Sequence, residues 1–186
     1  YCSISGFGQD GPYCDRPAYD IVMQAMGGFM GITGTPEGEP VRIGVAITDL
    51  CAGLYAAIAI LAALRHRDIT GEGQFIDLAL FDSSVSLMTY MAGYYFASGA
   101  IPLRMGSAHP TIVPYQAFKT KDGNYIIVAI GNDRLWGVFC DAMGLKDLKD
   151  NPKFSQNADR VRNRRELLER LGALFLSRER DEWVRI

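Results

Sequence analysis

Apolar and polar positions fall into blocks along the chain, and the period of each block predicts its element. Cys2 to Ser5 predicts a short strand, and the glycine- and proline-rich run from Gly6 to Pro17 a loop. A helix is expected from about Tyr19 to Met30, then a second loop through Gly34-Thr35-Pro36-Glu37-Gly38. Val41 to Ile47 reads as a strand or an extended connection. Asp49 to Arg67 predicts a helix with Thr48 or Asp49 as N-cap and basic residues in its last turn, where the helix dipole favours them. After a turn at Ile69 to Gly73, Gln74 to Leu80 sets Phe75, Asp77 and Ala79 against Ile76, Leu78 and Leu80, a pattern that suits a mostly buried strand. Asp82-Ser83-Ser84 is expected to cap a further helix reaching about Ala97.

The pattern changes after Gly99. Ile101 to Pro114 is a loop with three prolines, which sets a boundary between residues 1–100 and residues 101–186. Beyond it, Tyr115–Thr120 and Asn124–Ile130 predict a hairpin turned at Lys121-Asp122-Gly123, because a DG turn between apolar runs is the strongest short hairpin signal. Arg134 to Met143 follows as a helix ended by Gly144. Eleven of the nineteen basic residues lie between Lys146 and Arg185, interleaved with eight acidic ones, and read as a solvated helical surface.

Composition narrows the class. The 186 residues are 48% hydrophobic and 22% charged with a formal net charge of -2, which disfavours a disordered tail, a disulfide scaffold, a nucleic-acid module and a polybasic membrane address. Leu50 to Leu64 is short for a membrane span and is closely bounded by Asp49 and Arg65-His66-Arg67, so a buried helix is expected. Cys2, Cys14, Cys51 and Cys140 are scattered and only two histidines are present, so no metal site is expected and the thiols read as reduced and cytoplasmic. Tyr1 to Gly6 is no signal peptide, and Asp181 to Ile186 stops inside an amphipathic pattern, so the chain is expected to be a piece of a longer one.

Ten of the twenty glycines fall within the first 53 residues. Gly6-Phe7-Gly8-Gln9-Asp10-Gly11 matches a dinucleotide-binding GxGxxG, but Pro12 and Pro17 flank an extended stretch where that fingerprint needs a helix. A tight loop, open to a ligand approaching the backbone, is the better reading. No nucleophile elbow, P-loop or HExxH is present, and His109 reads as a loop residue. Any chemistry therefore rests on carboxylates, backbone amides and a bound substrate. Asp49 stands out because it precedes an alanine-rich apolar helix, where a charge is costly unless helix amides satisfy it; an ordinary N-cap is the competing explanation. Asp20, opening the preceding helix, has the same two readings.

Several stretches, in order, resemble the class III CoA-transferases of the CaiB/BaiF type, which include formyl-CoA transferase and the acyl-CoA racemases. They are Gly6 to Tyr13, Arg16 to Asp20, Gln24 to Gly28, Thr33 to Pro36, Asp49 with Gly53, Thr70 to Gln74, Pro114 to Phe118 and Gly131 to Asp133. The resemblance implies an α/β architecture: part of a Rossmann-like large CoA-binding catalytic domain, then part of a smaller α+β domain, from an interlocked-dimer fold. It makes Asp49 the nucleophile, Asp20 an auxiliary acidic residue, and Pro17, Ala18, Tyr19 and Asp20 a CoA-contacting loop. Coenzyme A and acyl-CoA enter as substrates with a carboxylic acid, no cofactor is tightly bound, and the compartment is the cytoplasm or, in a eukaryote, the mitochondrion.

Racemases of the family place a histidine where this sequence has Tyr19. A phenol is a poor base at neutral pH, so the transferase is expected, with a racemase or epimerase and a non-catalytic CoA-binding homologue as alternatives. The long glycine lid of some dicarboxylate-using members is represented here only by Gly106-Ser107-Ala108-His109, which leaves the acyl donor and the acceptor acid open.

Overall fold

A computed structural model describes residues 1–186, which divide into two compact units, Tyr1–Arg104 and Met105–Ile186. In the first, β1 (Cys2–Ser5) pairs in parallel with β2 (Ile76–Ala79), Cys2 opposite Ile76 and Ser5 opposite Ala79. Between them lie α1 (Asp20–Met26), α2 (Phe29–Ile32) and α3 (Ile47–Thr70), and after them α4 (Leu80–Ser86) and α5 (Thr89–Ser98). Parallel strands need a long crossover, and α3 supplies it, setting Ala52 and Ala56 against Leu78, Cys2 and Leu80. Alanines four residues apart share one helix face and let the backbone lie close to the sheet.

The expected helix from Tyr19 to Met30 is broken into α1 and α2. Gly28 has φ 91°, and a Cβ on Gly27 would come within 2.6 Å of Ser84 Oγ on α4, so this pair marks both a break and a close helix approach. Val41 to Ile47 forms no strand. The expected helix from Asp82 begins earlier, at Leu80, and breaks at Leu87–Met88. Its serines do not cap it: Ser83 Oγ–H donates back to Ala79 O and Ser84 Oγ–H to Phe81 O.

Two expectations for α3 are corrected. The helix runs for 24 residues and is apolar enough to cross a membrane by length and composition, so the argument from a short run fails. Nor is it a buried helix in this chain: Thr48, Ala52 and Ala56 are buried, while Leu50, Leu54, Ile58 and Leu61 are exposed. The alanine face packed on the sheet is the arrangement of an α/β crossover helix.

In the second unit β3 (Tyr115–Lys119) and β4 (Tyr125–Ala129) form the expected antiparallel hairpin, with Gly123 at φ 79° in its turn. Helix α6 (Asp133–Ala142) is capped by Asn132, whose Oδ1 accepts from Leu135 N–H at 2.9 Å, and Gly144 at φ 68° follows its end. Then come α7 (Lys146–Lys149), α8 (Asn157–Arg162), α9 (Arg164–Phe175) and α10 (Arg180–Val184). Trp136, Phe154, Leu167, Leu171, Phe175 and Trp183 form the core.

The charged stretch beyond Lys146 is not all solvated surface. Arg160 is fully buried, donating to Val113 O, Phe154 O and Asp133 Oδ1 and lying over the Trp136 ring. Its five donors are what make a guanidinium tolerable there. Cys140, in the same core, has its thiol pushed up to about 12 by burial, so it stays protonated and unreactive.

Candidate active site

Asp20 and Asp49 are brought together by the start of α3. Neither Thr48 nor Asp49 is the N-cap; that position is Ala46, which has no capping side chain. The exposed amides at the helix start are met instead from α1: Asp20 Oδ1 accepts Thr48 N–H at 2.9 Å and Thr48 Oγ1–H at 2.7 Å. Asp20 is also not the cap of its own helix, a position taken by Tyr19. It is buried, and its Oδ2 accepts Gln24 Nε2–H at 2.6 Å.

The charge pattern follows from these bonds. Burial works to raise the Asp20 pKa, but the hydrogen bonds from Thr48 and Gln24 outweigh it and hold the carboxyl below its ordinary value. Asp49 moves the other way: partial desolvation raises it first, and the negative charge of Asp20 adds to that. Asp49 lies in the first turn of α3 on an exposed residue, and no group of the chain hydrogen-bonds its carboxylate. With capping done by Asp20, the Asp49 carboxylate is available to an external electrophile near the positive end of a long helix.

The 17–20 loop is divided in direction. Pro17 and Tyr19 face outward, Tyr19 with 77% of its surface exposed, while Asp20 turns inward with both oxygens engaged. Ala18 is half-buried against Gly6, where an added Cβ would stand 2.5 Å from the Ala18 Cβ. The close approaches of the glycine-rich loop are packing contacts, Gly6 to Ala18 and Gly8 to Asp77. Gln9 N–H donates to Asp77 Oδ2 at 2.8 Å, which ties this loop to β2.

Two polar residues of the site have no catalytic or binding role in the sequence reading, where Thr48 is only an N-cap candidate and Gln24 only part of a matching stretch. Thr48 and Gln24 are both fully buried, and Gln24 also accepts Ile43 N–H on Oε1 at 2.7 Å. The signal for Gln24 was its place four residues after Asp20, on the same helix face. Two clefts of this unit lie elsewhere: about 290 Å³ beside Ile60, Leu64 and Arg67, and about 310 Å³ beside Tyr55, Asp77 and Asp82.

A buried aspartate that caps a neighbouring helix and frees a second aspartate at its start is the local arrangement of this chain, and the whole chain matches one protein family. It belongs to CoA-transferase family III, whose model covers residues 1–186. The chain is 46% identical over 184 residues to succinyl-CoA:glutarate CoA-transferase of Mus musculus, covering 99% of this chain and 42% of that protein. It is 44% identical over 167 residues to succinate–glutarate CoA-transferase of Agrobacterium fabrum, covering 90% of this chain and 42% of that protein. Among solved structures it resembles a CaiB/BaiF family protein from Brucella suis, with TM-score 0.80, 46% identity, and coverage of 99% of this chain and 48% of that one. The chain thus spans less than half the length of these relatives, as a mixed α/β piece of the family fold.

Proposed function

We propose that the protein transfers coenzyme A from an acyl-CoA thioester to a carboxylic acid, with Asp49 as nucleophile. The Asp49 carboxylate attacks the thioester carbonyl, the C–S bond breaks, and a mixed anhydride and CoA thiolate form. The thiolate attacks the aspartyl carbonyl, releasing the first acid and leaving an aspartyl-CoA thioester. The acceptor carboxylate repeats both steps in reverse, restoring Asp49 and leaving as the new thioester. A carboxylate is a weak nucleophile, so positioning and stabilisation of the oxyanions supply the rate.

The observation that carries this reading is the division of labour at α3: Asp20 caps the helix, and Asp49 stands beside it without a hydrogen-bond partner. Partial desolvation and the charge of Asp20 hold the Asp49 carboxyl above its ordinary pKa, which makes the carboxylate more basic. The names of the two relatives above support succinyl-CoA as donor and a short dicarboxylic acid as acceptor. The reading includes Pro17, Ala18 and Tyr19 at the CoA, a Rossmann-like large domain followed by a smaller one, and no resident cofactor. It also includes an interlocked homodimer, supported by the exposed Leu50, Leu54, Ile58 and Leu61, and a reducing compartment, cytoplasmic or mitochondrial, supported by four unpaired cysteines.

The test uses the full-length protein incubated with succinyl-CoA and trapped with hydroxylamine or borohydride. Mass spectrometry is expected to find the modification on Asp49 and none in Asp49→Ala. A modification elsewhere, or Asp49→Ala turning over like wild type, sinks the mechanism. Exchange of the substrate α-proton with deuterated solvent would identify a racemase instead.

A further inference from the structure

Gln24 is a fully buried polar side chain of the site that the mechanism above leaves unused. Gln24 sits on α1 one turn after Asp20, and both ends of its amide are committed. Nε2–H donates to Asp20 Oδ2 at 2.6 Å and reaches Val45 O at 3.4 Å, while Oε1 accepts Ile43 N–H at 2.7 Å. These bonds join the two things that set Asp49 in place: the carboxylate that caps α3, and the bent segment 43–45 that leads into it. With Oδ2 held by Gln24, Asp20 presents Oδ1 in one direction, onto Thr48, the residue before Asp49. An apolar side chain would fill the same space; the amide adds orientation, which matters for a nucleophile whose rate depends on its position.

We propose that Gln24 is a positioning residue for the Asp49 carboxylate, acting through Asp20 and the segment 43–45. The proposal rests on Asp49 being the nucleophile. Asp77 on β2 and Asp82 on α4 also belong to elements packed on α3, but Asp20 is the group whose charge reaches Asp49.

Two variants of the full-length protein test it. Gln24→Met keeps about the same volume and removes both hydrogen-bonding ends. Gln24→Glu, when protonated, donates to Asp20 and accepts from Ile43 as the amide does, and when ionised it repels Asp20. With succinyl-CoA and glutarate, Gln24→Met is expected to lower kcat by roughly 10- to 100-fold with KM for the thioester within about 3-fold, as misplacement of a reacting group does. Gln24→Glu is expected to match it at high pH and to recover toward wild type as pH falls, a rescue that a merely structural role would not give. Wild-type-like kcat in Gln24→Met, or a Gln24→Glu profile parallel to wild type, overturns the proposal.

A second readout needs no turnover. Carbodiimide reacts with a protonated carboxyl, so the pH midpoint of Asp49 labelling, followed by peptide mass spectrometry, reports its ionisation. In Gln24→Met this midpoint is expected to fall, because a loosened Asp20 presses less charge on Asp49; an unchanged midpoint counts against the proposal. If wild-type protein shows no succinyl-CoA-dependent modification of Asp49, the functional reading fails on its own, and the midpoint alone then decides whether Gln24 positions that carboxylate.

Discussion

Asp20 caps a helix that begins far from it in sequence: its Oδ1 takes both the N–H and the Oγ1–H of Thr48, 28 residues away, at 2.9 and 2.7 Å. Helices are usually capped by the residue just before them, and Ala46 has no side chain with which to do so. The bond therefore does two jobs. It satisfies the helix start, and it fixes α1 to α3 at the residue next to Asp49.

Asp20→Asn tests both jobs. The amide keeps the shape, removes the charge, and turns one N–H toward Gln24 Nε2 or Thr48. The cost is expected to be about 1–3 kcal/mol, the usual penalty for a buried group that loses its partner, read by urea unfolding.

The same carboxylates give opposite pH signatures. The Asp20 pKa is lowered in the folded state, so its contribution is present above the ordinary value of 3.8 and is lost as pH falls through the folded value. The Asp49 pKa is raised, so its contribution is present below 3.8 and is lost as pH rises through the folded value. Unfolding measured against pH is expected to have a shallower acid limb in Asp20→Asn, where Asp122 and Asp147 still contribute, and a shallower limb above 3.8 in Asp49→Asn. An Asp20→Asn curve parallel to wild type at low pH would show that the capping bond contributes nothing.

The local code of the chain carried much of this and stopped at predictable places. The hairpin was legible because Asp122-Gly123 specifies its turn, and β1, β2 and α6 because period and caps agreed. The breaks at Gly27-Gly28 and Leu87-Met88 were not, because both sit inside apolar runs of helical period. For the site, Asp49 and Asp20 were visible as costly charges beside apolar segments. That Asp20 serves another helix was not, since a bond across 28 residues leaves no local spacing. Arg160 was hidden for the same reason: its partners Val113 and Asp133 lie 47 and 27 residues away.

Arg160→Met removes the fully buried guanidinium and strands the Val113 and Phe154 carbonyls it serves. The loss is expected to be about 1–3 kcal/mol for each buried carbonyl left unpaired, while Asp133, half exposed, is taken up by water. Arg160→Lys reaches fewer of these acceptors and is expected to fall between. Chemical denaturation followed by tryptophan fluorescence reads the change, since Trp136 lies beneath the guanidinium. A variant as stable as wild type would mean that packing, and not this fork of hydrogen bonds, holds the segment.

In the hairpin turn, Asp122 accepts from Thr120 Oγ1–H at 2.5 Å and from Asn124 Nδ2–H at 2.8 Å, and these bonds lower its pKa to about 2. The turn is therefore expected to hold above pH 3.8 and to lose this contribution between there and about 2. Carboxyl NMR titration checks it, and a midpoint near 3.8 would show the bonds to be absent in solution.

Gly6 and Ala18 provide a test that connects packing to binding. A Cβ at Gly6 would lie 2.5 Å from the Ala18 Cβ, so Gly6→Ala must displace the 17–20 loop. Overpacking of this kind costs about 1–3 kcal/mol. If Pro17, Ala18 and Tyr19 touch coenzyme A as proposed, KM for the acyl-CoA is expected to rise while kcat changes less, because the Asp20 bonds to Thr48 and Gln24 hold the nucleophile's side of the loop. Gly6→Ala combined with Ala18→Gly removes the clash from the other side, and KM is expected to return toward wild type. Steady-state kinetics of the full-length single and double variants decide it: a raised KM that Ala18→Gly does not rescue would mean that Gly6 acts on the substrate by some route other than this contact.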